Sequence, residues 1–460
     1  MPRPLLSETT GISQNGVRML IHTVTPGETL SSIAADYNLT VSYLERINEL
    51  PNPEALVVGQ DIVIAYTDTI LTVSEGDTLT TLSERYGVPL LTILRNNPAI
   101  AARIQAADGS IPLFPGESII IRYSDQTASV RDPISVIGYA YPNIDRAILR
   151  QTLPFLTYLS IFTYGFTFEG ELITVDDSEL IAIARSYGTA PILLFSTLGP
   201  DGQFNNNLSS ALFASPELQE RIINTLIQTM QEKGYYGLDI DFEFVLPEER
   251  EAYIAFVSLL TERCNAAGFE VLVALAPKTS ATQRGLLYES HDYGGLAAAA
   301  NTVLLMTYEW GYTYGPPLAV APIPNVRRVL DYAITEIPPE IIFMGIPNYG
   351  YDWPLPYERG VTRARSLGNV EAVEIASRYG ATISFDTESQ APFFYYTDEN
   401  GAPHVVWFEN ARSIEAKLNL IVEYGFLGAG YWNVMRWFPQ NWLVMNLQFE
   451  IRTLLPVNVR

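Results

Sequence analysis

Residues 235–245 read YYGLDIDFEFV, with Asp239, Asp241 and Glu243 at every second position and Leu238, Ile240 and Phe242 between them. A β-strand points alternate side chains to opposite faces, so the three acids project together, roughly 6.5 Å apart along the chain, and the apolar set projects the other way. Carboxylates this close in an apolar setting cannot all ionise cheaply. At least one is expected to hold its proton well above the usual carboxylate range, and the three titrate as a coupled set. A poised carboxylic acid of this kind is what glycoside cleavage requires. Solvated acids on an edge strand are the alternative, and the flanking Leu, Ile, Phe and Tyr argue against it.

The elements around this segment must position it. From about residue 134, eight short apolar runs alternate with helical patterns: ISVIGYA, TYLSIFTYGF, APILLFST, YYGLDIDFE, FEVLVALAP, NTVLLMTYEW, IIFMGIPNYGY and GFLGAGYWNV. Ser215 and Pro216 open one helix that ends at Gly234, and Pro247 to Gly268 frame another. Continuous apolar runs separated by helices indicate a parallel sheet covered on both faces. Eight of them predict an α/β fold, a (β/α)8 TIM barrel, with an open doubly wound sheet as the alternative. In a barrel the acids take the interior, because the apolar set suits the strand–helix layer, and they climb toward the C-terminal mouth. A small α+β insertion is expected at about residues 351–405, where DENG supplies a hairpin turn.

Composition limits the partners. The chain has 460 residues, 48% hydrophobic and 17% charged, with a formal net charge of −23. It is globular, too long for one ordinary core, and repels phosphate backbones, so no nucleic-acid partner is expected. Cys264 stands alone in a helical pattern and reads as a buried core thiol. One cysteine and three histidines suggest no metal cluster, and no cofactor is implied. The segment MPRPLLSETTGISQNG has no apolar core of a secretory signal, and no run reaches the ~18–20 apolar residues of a membrane span. A wall polymer or a neutral glycan remains as a partner, with no membrane involved and the protein acting as a monomer.

The front of the chain repeats itself. Residues 22–50 and 71–99 align at a shift of 49: Val24 with Val73, Gly27 with Gly76, Thr29–Leu30 with Thr78–Leu79, Tyr37 with Tyr86 and Asn48 with Asn97. VVGQDIVIA and FPGESIIIR then close the copies at a shift of 57, so the second copy holds eight extra residues, in AARIQAADGS. Each unit reads strand, helix, helix, strand, with Thr29 and Thr78 as helix N-caps. The signature resembles the LysM module, over residues 21–66 and 70–123. The resemblance implies small βααβ domains that bind N-acetylglucosamine polymers, and two tethered weak binders gain from effective concentration on an insoluble polymer. Whether they pack on the barrel or swing is left open.

GLDIDFE resembles the strand-4 signature of glycoside hydrolase family 18, the chitinase family, over roughly residues 134–450. The resemblance implies Glu243 as proton donor, Asp241 as partner of the substrate's 2-acetamido group and Asp239 as the buried acid that modulates Asp241. The substrate's own acetamido oxygen is then the nucleophile. Tyr236 stands where the family has its first Asp. MTYEW resembles the family's strand-6 motif and implies that Tyr308 bonds the acetamido carbonyl, with Glu309 replacing an Asp at a substrate contact. GAGYWNV implies Trp432 as the floor under the reacting sugar. Tyr139, Tyr164, Asn348, Tyr349 and Trp353 are candidates to line the cleft, with packing an equal alternative. The combination with LysM units resembles spore cortex-lytic N-acetylglucosaminidases, which implies a retaining enzyme that cleaves β-1,4 bonds after N-acetylglucosamine in peptidoglycan, located at the spore coat, cortex or cell wall. A chitinase, and a lectin without activity, are the competing readings; an intact Glu243 speaks against the lectin.

Overall fold

The computed structural model describes residues 19–103, 109–124, 132–199 and 202–460. The N-terminal stretch weighed for a secretory signal, most of the eight-residue insertion and the segment joining the second repeat to the barrel lie outside them.

Each repeat is built by local capping. In the first, β1 (Leu20–Thr23) pairs antiparallel with β2 (Asp61–Ile64) around α1 (Leu30–Asp36) and α2 (Val41–Asn48). In the second, β3 (Thr67–Thr72) and β4 (Ser118–Tyr123) enclose α3 (Leu79–Tyr86) and α4 (Leu90–Asn96). Thr29 and Thr78 do cap α1 and α3, each accepting from the amide three residues on at 3.1 Å. Asn48 and Asn97 do more than close a helix. Asn48 donates to Leu44 and Val63 carbonyls and accepts from the Val63 amide at 2.7 Å, and Asn97 makes the same three bonds to Ile93 and Ile120. One side-chain amide thus fastens helix to closing strand in both copies.

The barrel strands follow in order: β5 (Asp132–Ala140), β6 (Tyr158–Phe166) with the two-residue β7 (Leu172–Ile173) folded back on its end, β8 (Ala190–Ser196), β9 (Gly237–Asp241), β10 (Glu270–Leu275), β11 (Thr302–Leu305) and β12 (Ile342–Pro347). After β12 the chain builds the insertion, an antiparallel sheet of β13 (Gly350–Pro354), β14 (Arg365–Leu367), β15 (Ser384–Asp386), β16 (Ala391–Thr397) and β17 (Pro403–Trp407). It returns through β18 (Gly428–Trp432), and β19 (Phe449–Ile451) adds to the outer end of β5. Parallel pairing of β18 with β5 and of β5 with β6 closes eight strands into the expected barrel and excludes the open sheet.

The two sides of β9 are divided as the alternation predicts. Leu238, Ile240 and Phe242 are fully buried against the helices, and the Phe242 ring lies 5.8 and 6.1 Å from Tyr253 and Phe256 of α6 (Arg250–Ala266), which follows α5 (Pro216–Lys233). The interior is filled by a separate cluster that includes Ile137, Tyr139, Ile192, Leu194, Leu272, Ala274, Leu304 and Phe343. Cys264 is buried in α6, and burial raises its thiol to about 12. Among the described residues no helix is long and apolar enough to cross a membrane.

The repeats pack on the rest of the chain. Both lie on α7 (Pro439–Gln448): Gln440 donates to the Asp61 carbonyl at 2.7 Å, and Asn446 to Asn96 at 2.8 Å. Val57 of the first repeat enters the insertion's apolar core beside Leu367, Ile375 and Phe408. The backbones touch there: Ile383 donates to the Val58 carbonyl at 2.9 Å, and a Cβ on Gly59 would come 1.8 Å from the Ile383 carbonyl oxygen. Asp61, fully buried, is held by the Arg412 guanidinium at 2.9 Å and by the Thr23 hydroxyl. Removing one partner from such a pair strands a buried charge. Arg412→Ala is therefore expected to lose about 3 kcal/mol of stability, read as a lower urea midpoint; an unchanged midpoint would show that this contact does not hold the repeat.

Candidate active site

The acids do not form a three-residue ladder on one strand. β9 stops at Asp241, and Glu243 projects from the turn that follows, where Phe244 adopts φ +60°. A left-handed residue other than glycine costs roughly 1 kcal/mol and needs a reason to persist. His291 supplies one. Its Nδ1 accepts from the Ala276 amide at 2.9 Å, which leaves the proton on Nε2 facing the Phe242 carbonyl at 3.2 Å. Burial pushes the imidazole down to about 4, so it stays neutral and anchors the turn that presents Glu243. Counting histidines for metal sites could not reveal this role.

The electrostatics follow from depth. Asp239 is fully buried inside the barrel and accepts from Ser160 of β6 at 2.9 Å; the Tyr139 hydroxyl lies nearby but meets no partner at bonding geometry. Burial pushes Asp239 up to about 7. Asp241 is raised by burial and by Asp239. Glu243, half-buried at the cleft, is raised by desolvation, then by Asp241 and Glu309. No lysine or arginine lines the cleft among the described residues, so retained protons relieve the repulsion. One oxygen of Asp239 and one of Asp241 have no partner. A buried, unpaired oxygen on the floor of a cleft is ready to bond a ligand.

The cleft itself has a volume of about 660 Å³. Aromatic groups wall it: Trp432, at the end of β18, lies 5.3 Å from Phe162, 5.8 Å from Tyr139 and 6.1 Å from Tyr141, with Phe204 beyond. Tyr308 crosses the floor from the end of β11. Gly345 makes this possible, since a Cβ there would come 2.7 Å from the Tyr308 ring. Burial and the four surrounding carboxyls hold the Tyr308 hydroxyl well above the usual tyrosine range, so it remains a donor. Glu309 stands at the rim with φ +68°; its carboxylate accepts from Tyr349 and, at 3.0 and 3.3 Å, from Tyr351.

Asp239, Asp241, Glu243, Tyr308, Glu309, Trp432 and Tyr139 thus converge, and four candidates, Tyr164, Asn348, Tyr349 and Trp353, do not. Tyr164 is fully buried on the helix side, where its hydroxyl donates to Asp177 at 2.5 Å and receives Lys233 at 2.7 Å. An extra residue between Ile161 and Tyr164 shifts the register of β6 against β8. This bulge turns Tyr164 outward and leaves Phe162 and Thr163 facing the cleft. Asn348 is also buried. Its side chain donates to the Asn433 and Arg436 carbonyls at 3.0 and 2.8 Å, tying the loop after β12 to the loop after β18. Tyr349 supports Glu309, and Trp353 of the insertion donates to the Gly315 carbonyl in the loop after β11; neither lines the cleft. Tyr236 lies at the opposite end of the barrel, with Tyr158 and Glu270, away from the acids. Sequence reasoning missed Tyr141, Phe162, Phe204 and Met306. Tyr141 directly follows the run ISVIGYA, and Met306 opens the MTYEW motif inside its run, positions that could have flagged them. Phe204 lies in a loop without periodicity.

Comparison with known proteins agrees with this geometry. A profile of glycosyl hydrolases family 18 matches residues 144–436, and a LysM domain profile matches residues 22–65 and 71–122. The cortical fragment-lytic enzyme of Bacillus subtilis (strain 168) is 39% identical over 433 residues, covering 94% of this chain and 99% of that protein. That of Bacillus anthracis is 35% identical over 94% of this chain and 98% of its own length. The crystal structure of the Bacillus megaterium QM B1551 spore cortex-lytic enzyme SleL superposes with a TM-score of 0.79 at 37% identity, covering 94% of this chain and 98% of that one. A signature motif on the fourth barrel strand, a closed barrel and this breadth of similarity place the chain in glycosyl hydrolase family 18, behind two LysM domains.

Proposed function

We propose that the protein is a retaining hydrolase that cleaves the β-1,4 bond after N-acetylglucosamine in peptidoglycan of the spore cortex. One observation carries the reading: an unpaired, buried oxygen of Asp241 lies beneath an aromatic-walled cleft, next to a carboxyl that keeps its proton. The sugar stacks on Trp432, whose π-face meets its C–H groups. Glu243 gives its proton to the glycosidic oxygen as that bond breaks. The acetamido carbonyl oxygen attacks C1 and closes a five-membered ring; Asp241 accepts the amide N–H, and Tyr308 donates to the acetamido group. The leaving chain departs with Glu243's proton. Glu243, now a carboxylate, takes a proton from water as the water opens the ring, so C1 is inverted twice and its configuration is retained. Asp239 shares the charge that gathers on Asp241. Every group comes from one chain, so a monomer is complete.

The two LysM units supply attachment to the glycan and favour location at the cortex or wall. The close relatives, which are cortex-lytic by name, favour peptidoglycan over chitin. Product release from cortex fragments and from chitin oligomers, compared side by side, separates these substrates.

Two outcomes are expected. Glu243→Gln lowers kcat on a fluorogenic N-acetylglucosamine oligomer by about 1,000-fold or more, since it removes the transferable proton; near-normal turnover would end the assignment. Glu243 must be protonated to act and is held up to about 8 by burial, Asp241 and Glu309. Activity is therefore retained through neutral pH and lost as pH rises through that value. Glu309→Gln removes one of the anions that hold the proton on, so the alkaline limb of kcat/KM should move down by about one pH unit. A limb that stays in place would remove Glu309 from this role.

A further inference from the structure

Among the described residues the cleft has carboxyls and no lysine or arginine, yet a basic and aromatic rim adjoins it. Residues 357–365 read YERGVTRAR, three arginines in nine residues of a chain whose net charge is −23. Arg365 is neutralised, by Glu371 at 2.6 Å and Asp352 at 3.7 Å. Arg359 and Arg363 are exposed and have no acidic partner among the described residues. The Arg363 guanidinium lies 5.6 Å from the centre of the Tyr314 ring. Tyr314 and Tyr312 are 58% and 41% exposed and meet edge to face at 6.5 Å.

The backbone that carries this exposed pair is braced. The fully buried Trp353 donates to the Gly315 carbonyl at 2.9 Å, Ala364 to the Thr313 carbonyl at 2.7 Å, and Tyr357 to the Tyr314 carbonyl at 3.2 Å. Gly311 bonds Ala319, which closes the loop on itself. The loop is also continuous with the cleft: it begins directly after Glu309, and Tyr351 touches both Glu309 and Thr313. Large exposed aromatics on a braced loop mark a binding surface, because leaving them in water stabilises nothing by itself. A guanidinium laid on a ring keeps its donor edge free and pre-oriented for a carboxylate.

We propose that Tyr312, Tyr314, Arg363 and Arg359 form a rim subsite for the part of the glycan strand that carries a carboxylate. The inference rests on the hydrolase reading above and deepens it. A strand that bears lactyl or peptide carboxylates finds no lysine or arginine to pair with among the described residues that line the cleft. The strand's continuation along this rim places a sugar face on the tyrosines and a carboxylate on Arg363. Chitin, which bears no carboxylate, gains only the stacking.

The test uses the full chain, as wild type and as Arg363→Ala, on peptidoglycan oligosaccharides with free carboxylates and on the same oligosaccharides amidated to neutrality. The quantity read is the ratio of kcat/KM for the free over the amidated substrate. The wild type should prefer the free form, and added salt should erode that preference. Arg363→Ala should lower the ratio about tenfold, the size of one charge-assisted hydrogen bond. Because each variant is compared with itself on two substrates, partial misfolding cancels. An unchanged ratio, whether both rates fall together or neither moves, overturns the subsite and leaves the hydrolase reading intact. A wild-type chain that cuts neither substrate overturns that reading, and the rim subsite with it.

Discussion

The molecule is organised around carboxyl groups placed inside a barrel without a cation to neutralise them. Taking Asp239 wholly out of water raises it to about 7, a displacement on the order of 4 kcal/mol against ionisation. The folded state then binds protons that the unfolded chain releases, so this group's contribution to stability falls as pH rises from about 4 to about 7. Such a site persists only because its other face is well used. Leu238, Ile240 and Phe242 go fully into the helix layer, each worth roughly 2 kcal/mol by burial. The strand is stable on one side so that it can be strained on the other.

The supports of the site show how it is kept apart from ordinary packing. His291 is buried and neutral, and its role is to hold one carbonyl of the turn before Glu243. Gly345 gives up its side chain so that the Tyr308 ring can lie across the floor. Tyr349 and Tyr351, which lead into the insertion, hold Glu309 at the rim. The first LysM unit reaches the same insertion from behind, through Val57 in its core. Anchor, insertion and rim are therefore linked by direct contact, and the repeats are structural parts of the enzyme as well as attachment modules.

Much of this was legible beforehand. Charge alternation over 239–243 and the apolar set between gave the division of β9, because strand period is a local property. The eight runs and their helices indicated a parallel α/β sheet, with the barrel preferred over an open sheet until the pairing of β18 with β5 closed it, and the self-alignment at the front indicated two βααβ units with capping threonines in place. The motif's resemblance named Asp241, Glu243, Tyr308 and Trp432, which meet at the cleft, and Asp239, which lies buried beneath it.

What the residues could not declare depends on partners distant in the chain. Tyr164 shares a strand and a parity with Phe162, yet one extra residue in β6, visible only in its register with β8, sends them to opposite faces. Asn348 reads as a polar group at a strand end, and only the approach of the loop after β18 makes it a tie rather than a ligand contact. The docking of the repeats rests on Asp61 meeting Arg412, 351 residues away. Sequence by itself determined which residues share a face where a strand runs without a bulge, as over 238–241, since that follows from backbone geometry between neighbours; tertiary structure decided where a bulge breaks that parity and what each face meets, since register, closure and burial are set by contacts between segments that no local pattern records.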